Sequence, residues 1–289
     1  MMLKKFFSCF MAAAIAAAGL ITGNYSYISI DSAAADSYLS APASTDVLKE
    51  SAYVTWTPVS GADGYNVYCK PIGGSYVQLD SMLIRQYSGY FRADAVGLKP
   101  GSYVMKVVPT ADGKEDTSKA VESDAITVGN YDRSGFAFSK NSPNGGTGVG
   151  AYNDDGTLKD DAIVLYLTEE TKKTMKFDVK GSSGYVSCTG LVEILDAYSD
   201  GYDSRPLNIR IIGKVTADGV VGANSDTNNL NLKTKNTKRI VKNITIEGIG
   251  DDAVCYGFGI RGLKIQSVEI RNIGIMLFGD DGIAFETAN

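Results

Sequence analysis

Val241-Lys242-Asn243-Ile244-Thr245-Ile246-Glu247-Gly248-Ile249-Gly250 is followed, 24 residues on, by Ile265-Gln266-Ser267-Val268-Glu269-Ile270-Arg271-Asn272-Ile273-Gly274. The two segments match in type at nearly every position, apolar against apolar and polar against polar. A second pair, Gly259-Ile260 and Gly282-Ile283, recurs 23 residues apart. A period of roughly 20 to 30 residues in strand-rich sequence marks a solenoid. Ile244 and Ile246 alternate with polar residues, so this strand has one face to bury and cannot bury it alone. Stacking the next coil on it continues the core. Each coil is expected to carry two strands, one ending near Gly248 and one near Gly259. The Leu-x-x-Leu-x-Leu pattern of leucine-rich repeats is absent, and the reading that fits is an incomplete right-handed parallel β-helix.

Working back from the repeat, Pro206 to Val215 and Asp161 to Leu167 are apolar enough for buried strands, and Thr189 to Leu195 has apolar positions at helical spacing. Asn130 to Ala151 is rich in Gly, Ser and Asn and reads as a connection. Its Gly-rich stretch Asn144 to Gly150 lacks the Gly-Lys-Ser/Thr ending of a phosphate loop and is expected to be a turn-rich loop. Residues 47–129 hold short alternating strands, Tyr53 to Thr57, Gly64 to Cys69 and Val104 to Val108, the last introduced by Leu98-Lys99-Pro100-Gly101-Ser102-Tyr103. Closely spaced strands of this kind predict a small β-sandwich with Trp56 in its core. The fold class is therefore all-β, a sandwich preceding the helix-like repeats.

At the start, Lys4 and Lys5 precede an apolar run of 16 residues from Phe6 to Ile21, and Ala33-Ala34-Ala35 offers a cleavage point before Asp36. That layout predicts a secretory signal peptide over 1–35 rather than a retained span, followed by a linker over 36–46. An extracellular, monomeric protein without stable membrane insertion is expected. Net charge is −5 with no basic patch, which argues against nucleic acid. Cys69, Cys188 and Cys255 have no metal-ligand spacing and are expected to be buried free thiols. No histidine is present, so Ser-His-Asp, Cys-His and His-ligated zinc chemistry are excluded.

Two family resemblances emerge from these motifs. Trp56, the Gly64-Tyr65-Asn66-Val67-Tyr68 strand and the Leu98 to Tyr103 turn resemble fibronectin type III domains, with Tyr103 as the corner residue tied back to upstream backbone. Such a module is expected to serve as a spacer or to bind carbohydrate. From about Arg205 onward, Leu230-Asn231-Leu232, Asn243 to Gly248, Gly257-Phe258-Gly259-Ile260, Val268 to Ile273 and Asp281-Gly282-Ile283-Ala284-Phe285-Glu286 resemble pectate lyases of the first polysaccharide lyase family. On this resemblance, residues 130–289 are the N-terminal part of the β-helix, truncated at Asn289.

The resemblance implies cleavage of α-1,4-polygalacturonate, the pectin backbone, by β-elimination. A proton leaves C5, α to a carboxylate, and the glycosidic oxygen departs from C4. Ca2+ would neutralise that carboxylate and stabilise the charge that develops on it. Asp281 matches a calcium-ligand aspartate of the family and Asp280 is its expected neighbour, whereas Glu286 is expected to be structural. Spacing alone leaves Asp280-Asp281-Gly282 open to a plain turn reading, and Asp251-Asp252 reads as a turn between coils. The family's catalytic arginine is expected beyond the end of the chain, since neither Arg261 nor Arg271 matches it, and Arg271 reads as a polar strand residue. The chain alone is thus expected to be inactive. The alternatives are a non-catalytic β-helical surface or carbohydrate-binding protein, and a glycosidase using Asp280 and Asp281 as an acid/base pair.

Overall fold

The computed structural model describes residues 38–41, 47–133, 149–222 and 228–286. The signal-peptide reading, most of the 36–46 linker and residues 144–148 of the Gly-rich loop lie outside the described residues. No helix among the described residues is long and apolar enough to cross a membrane. Among the described residues the fold is all-β apart from one α-helix, Leu191–Tyr198, and two 3-10 turns, Ser81–Leu83 and Thr117–Lys119.

The two copies of the 24-residue pattern lie against one another in register. Strand Lys242–Tyr256 pairs in parallel with Gln266–Arg271, setting Ile244 opposite Val268, Ile246 opposite Ile270 and Glu247 opposite Arg271. Its other edge pairs in parallel with Leu207–Thr216, where Ile209 meets Ile246, and that strand carries Ile163–Leu167 in turn. A second parallel sheet runs Asn229–Lys233, Gly259–Leu263, Ile283–Glu286, with Ile260 opposite Ile283. A slip of one residue would turn Ile244 and Ile246 outward, and each such side chain is worth roughly 1.5–3 kcal/mol when buried. The apolar face therefore dictates the register.

Two strands per repeat are found, as expected, in Leu207–Thr216 with Asn229–Lys233 and in Lys242–Tyr256 with Gly259–Leu263, whereas the last repeat has three, Gln266–Arg271, Gly274–Met276 and Ile283–Glu286. Lys242–Tyr256 turns a corner at Gly250, whose φ of +77° places it in the left-handed region. Beyond the corner, Val254 to Tyr256 pairs with a separate short strand, Gly274–Met276. In the next repeat Asn272 turns the same corner at φ +51°. Its Nδ2 donates to the carbonyls of Gly248, at 2.7 Å, and Gly250, at 2.9 Å, which the bend would otherwise leave without partners. The apolar residues of these segments, Ile209, Leu230, Ile246, Cys255, Phe258 and Ile260 among them, form one core. The helix expected around Thr189 to Leu195 runs Leu191–Tyr198 and presses Leu191, Ile194, Leu195 and Tyr198 onto that core.

The sandwich is antiparallel except for one short parallel pairing. One sheet is ordered Leu39–Ser40, Ser51–Trp56, Phe91–Val96, Ile84–Gln86; Leu39–Ser40 falls within the stretch read as linker. The other centres on Gly101–Ala111, flanked by Gly64–Pro71 and Ile126–Gly129, which pairs in parallel with Leu48–Lys49. Ala52, Val54, Trp56, Val67, Met105 and Ile126 fill the space between them. The Tyr103 hydroxyl donates to the Lys99 carbonyl at 3.0 Å. Cys69, Cys188 and Cys255 are buried free thiols, as expected. Burial pushes Cys69 and Cys255 up to about 12, which keeps them protonated and inert.

Charged groups join the sandwich to the stacked strands. Asp251 and Asp252, expected as a turn, lie inside strand Lys242–Tyr256 just past its corner. Asp251 accepts from Arg92 Nη1 at 2.6 Å, and Asp252 accepts from Arg85 Nη1 at 2.8 Å and the Tyr87 hydroxyl at 2.9 Å. Asp94 lies buried between the two arginines and pairs with both. A few residues away Glu50, at φ +53°, is buried against Arg133 and Arg271. Arg271 is thus more than a polar strand residue, because it also reaches Glu247 at 2.8 Å.

Glu247 is 3% exposed and accepts from Tyr152 Oη at 2.5 Å, Asn208 Nδ2 at 2.8 Å and Arg210 Nε at 3.1 Å. Burial pushes its carboxyl up, but Arg271, Arg210 and the Tyr152 and Asn208 hydrogen bonds outweigh it, and the net shift is downward. Glu269 moves the other way: its burial dominates over the neighbouring Arg271 and Arg133. A depressed carboxyl contributes stability that is complete above its unfolded value, about 4.3, and is lost as pH falls through the folded one. Glu269 has the opposite sign and is relieved when it takes up a proton. The urea midpoint is therefore expected to hold or rise slightly on acidification from neutrality, then fall below about pH 4. Glu247→Gln should cost on the order of 3–5 kcal/mol at pH 7 and flatten the acid limb, read from urea titrations across pH.

Candidate functional site

Asp280 and Asp281 lie between Gly274–Met276 and Ile283–Glu286, and both are exposed. The segment that carries them rests on the preceding repeat. The Gly257 amide donates to the Met276 carbonyl at 2.8 Å and the Ile260 amide to the Gly282 carbonyl at 2.9 Å. Gly279 packs against Asn228, whose side-chain amide donates to the Gly257 carbonyl.

Gly259 decides how closely this segment can approach. A Cβ there would collide with the main-chain oxygen of Asp281, the side-chain Oδ1 of Asn229 and the oxygen of Gly282. Three oxygens thus pack directly against the Gly259 backbone, an approach only glycine permits. Asn229 sits opposite Gly259 in the parallel ladder and is wholly buried, yet neither its Oδ1 nor its Nδ2 has a hydrogen-bond partner among the described residues. An unpartnered buried amide costs roughly 1–3 kcal/mol, so its orphaned oxygen asks for a donor or a cation.

These residues fit a hard cation. The groups along this segment that could serve such an ion are all oxygen, of the kinds calcium takes in preference to nitrogen or sulfur: the exposed Asp280 and Asp281 carboxylates and, beneath them, the buried Asn229 amide and main-chain carbonyls. Among the described residues no three His, Cys, Asp or Glu side chains converge, so neutral oxygens would have to complete the coordination. No family model matches the chain. A search of curated proteins likewise finds no match. The assignment of this site therefore rests on the chain's own residues.

Sequence reasoning singled out Asp280 and Asp281 but missed Asn229 and Gly259. The signal for Gly259 was present, since Gly259-Ile260 and Gly282-Ile283 were recognised as a repeated pair. The spacing did not reveal that Gly259 carries the next repeat's aspartate. Arg261 and Glu286, in neighbouring strands, pair at 2.6 Å, which gives Glu286 the structural part expected of it. Gly259→Ala should lower stability by about 1–3 kcal/mol through overpacking, seen as a lower thermal midpoint, and should push the Asp281 backbone outward.

Proposed function

We propose that residues 130–289 form a right-handed parallel β-helix of the kind found in secreted pectate lyases, which act on α-1,4-polygalacturonate with calcium. The single observation that carries the reading is the Asp281 main chain resting on Gly259 beside the orphaned Asn229 oxygen. The in-register parallel stacking of repeats supports the helical part, because the strands of successive repeats turn their apolar faces to one shared core. The antiparallel sandwich, with its Tyr103-to-Lys99 tie, supports the fibronectin type III-like module.

In this reading Asp281 and Asp280 hold the cation, and the Ile260 amide on the Gly282 carbonyl fixes where the aspartate backbone stands. Bound calcium would neutralise the substrate's carboxylate and stabilise the charge that grows as the C5 proton leaves. The exposure of both aspartates lets a polymer approach them along the outside of the strands.

The reading in which the chain binds carbohydrate without cleaving it draws on the arginines. Arg210 and Arg271 are locked on Glu247, and Arg261 is paired with Glu286, so none of these three stands ready to take a proton. Calorimetry on the chain should show calcium binding that Asp281→Asn weakens at least tenfold. Incubated with a protein that carries this chain, polygalacturonate should yield unsaturated uronides, followed by ultraviolet absorbance, only when calcium is present. Calcium binding without such products would favour the non-catalytic reading, and reducing ends without unsaturation would favour hydrolysis.

A further inference from the structure

The antiparallel hairpin Lys176–Gly181 and Gly184–Thr189 stands outside the stacked repeats. Its register sets Phe177 opposite Cys188, Val179 opposite Val186 and Lys180 opposite Tyr185. Val179 and Cys188 are buried in the repeat core, but Tyr185 is 66% exposed and Val186 51%. A large aromatic held out to solvent on a short strand contributes little to folding, and such residues often mark a binding surface.

Beside Tyr185 is a cavity of about 520 Å³ lined by Lys176, Phe177, Asp178, Tyr185 and Arg205. Arg205 organises it. Its guanidinium lies 5.2 Å from the Phe177 ring centre and 5.8 Å from that of Tyr185. Nε and Nη2 are held by the two oxygens of Asp203 at 2.9 and 2.6 Å, and Nη2 also reaches the Asp178 carbonyl at 3.2 Å. Asp203 is buried and accepts the Lys180 amide at 3.0 Å, so the arginine is fixed from behind. Asp178 has one oxygen occupied by the Ser187 hydroxyl at 2.5 Å.

The charges of this cavity cancel: Lys176 and Arg205 against Asp178 and Asp203. An anion would gain little from the cations and would face the Asp178 carboxylate. A purely apolar ligand would strand the polar groups. A ligand with an apolar face and a rim of hydroxyls, laid along this open cleft, satisfies every part of the lining. We propose that this cavity binds a neutral sugar unit of a glycan chain, at a place separate from Asp280 and Asp281. The Tyr185 ring packs on the C–H face of the sugar. Asp178 accepts from one hydroxyl, while Lys176 and the Arg205 guanidinium donate to others. The site does not depend on calcium, and it would anchor the protein to a neutral polymer whether or not the pectate reading holds.

The test is native electrophoresis of the full chain through gels containing soluble neutral glycans (β-1,4-galactan, xyloglucan, galactomannan) or polygalacturonate, each with calcium or with chelator. At least one neutral glycan should retard the protein equally in both conditions. Tyr185→Ala should weaken that retardation at least tenfold, and Asp178→Asn should weaken it too. Tyr185→Phe should retain it, because the ring and not the hydroxyl carries the contact. Thermal melting checks that the variants are folded, as the exposed position of Tyr185 leads one to expect. The proposal is overturned if no neutral glycan retards the chain, if Tyr185→Ala migrates like the parent, or if Tyr185→Ala relieves retardation by polygalacturonate alone. Loss of calcium-dependent polygalacturonate binding in Asp281→Asn, with neutral-glycan retardation intact, would leave this site standing and bear only on the calcium reading.

Discussion

Ile209, Ile246 and Ile270 follow one another at matched positions of three parallel strands, and most of the C-terminal half depends on that row. None of these strands could bury its apolar face in isolation, because a single pleated strand offers the face and nothing to cover it. Each repeat covers the one before and requires the one after. Register is then no longer free, and with it come the outward-facing residues: Arg210, Glu247 and Arg271 line up because Ile209, Ile246 and Ile270 do. The same stacking brings Asp281 and Gly282 over Gly259 in the second sheet.

On the outer face the stacked strands are covered by polar contacts. Glu247 is buried with two arginines, a tyrosine and an asparagine, and Glu50 with Arg133 and Arg271. Burying ions carries a desolvation cost that good geometry only partly offsets, so such a cluster is a weak source of net stability. It is demanding about geometry instead, since removing one partner strands another. Arg85 and Arg92 on Asp252 and Asp251 add a second set of contacts between the same two surfaces. Together they hold the sandwich against the repeats in one orientation, and the described residues belong to one compact unit.

The two surface features with chemical promise are built in contrasting ways. Asp280 and Asp281 stand exposed on a segment that rests over a buried Asn229 amide without a hydrogen-bond partner among the described residues. In the hairpin cavity the charges are balanced and the rings are displayed. Exposed carboxylates suit a metal ion; a balanced polar rim around aromatic rings suits a hydroxyl-rich neutral ligand.

The periodic features were legible from the residues alone. The 24-residue recurrence, the alternation of Ile244 and Ile246, the apolar spacing around Leu191 to Leu195 and the three unpaired thiols all led to elements found in place. Each is a local pattern, and burial of an alternating or helical apolar face follows from backbone geometry whatever lies elsewhere in the chain. The bend within Lys242–Tyr256 and the separate strand Gly274–Met276 are not legible in the sequence, because the corner depends on Gly250 and Asn272 adopting left-handed backbone, which either residue permits but does not require. Asp251 and Asp252 looked like turn formers for the same reason. Their partners Arg92 and Arg85 lie 159 and 167 residues away, and Glu50 meets Arg271 across 221. Nothing in the spacing of charged residues encodes such meetings. They exist only once the apolar strands have stacked and the sandwich has closed on them, and the same holds for the oxygens around Gly259 and for the cavity beside Tyr185.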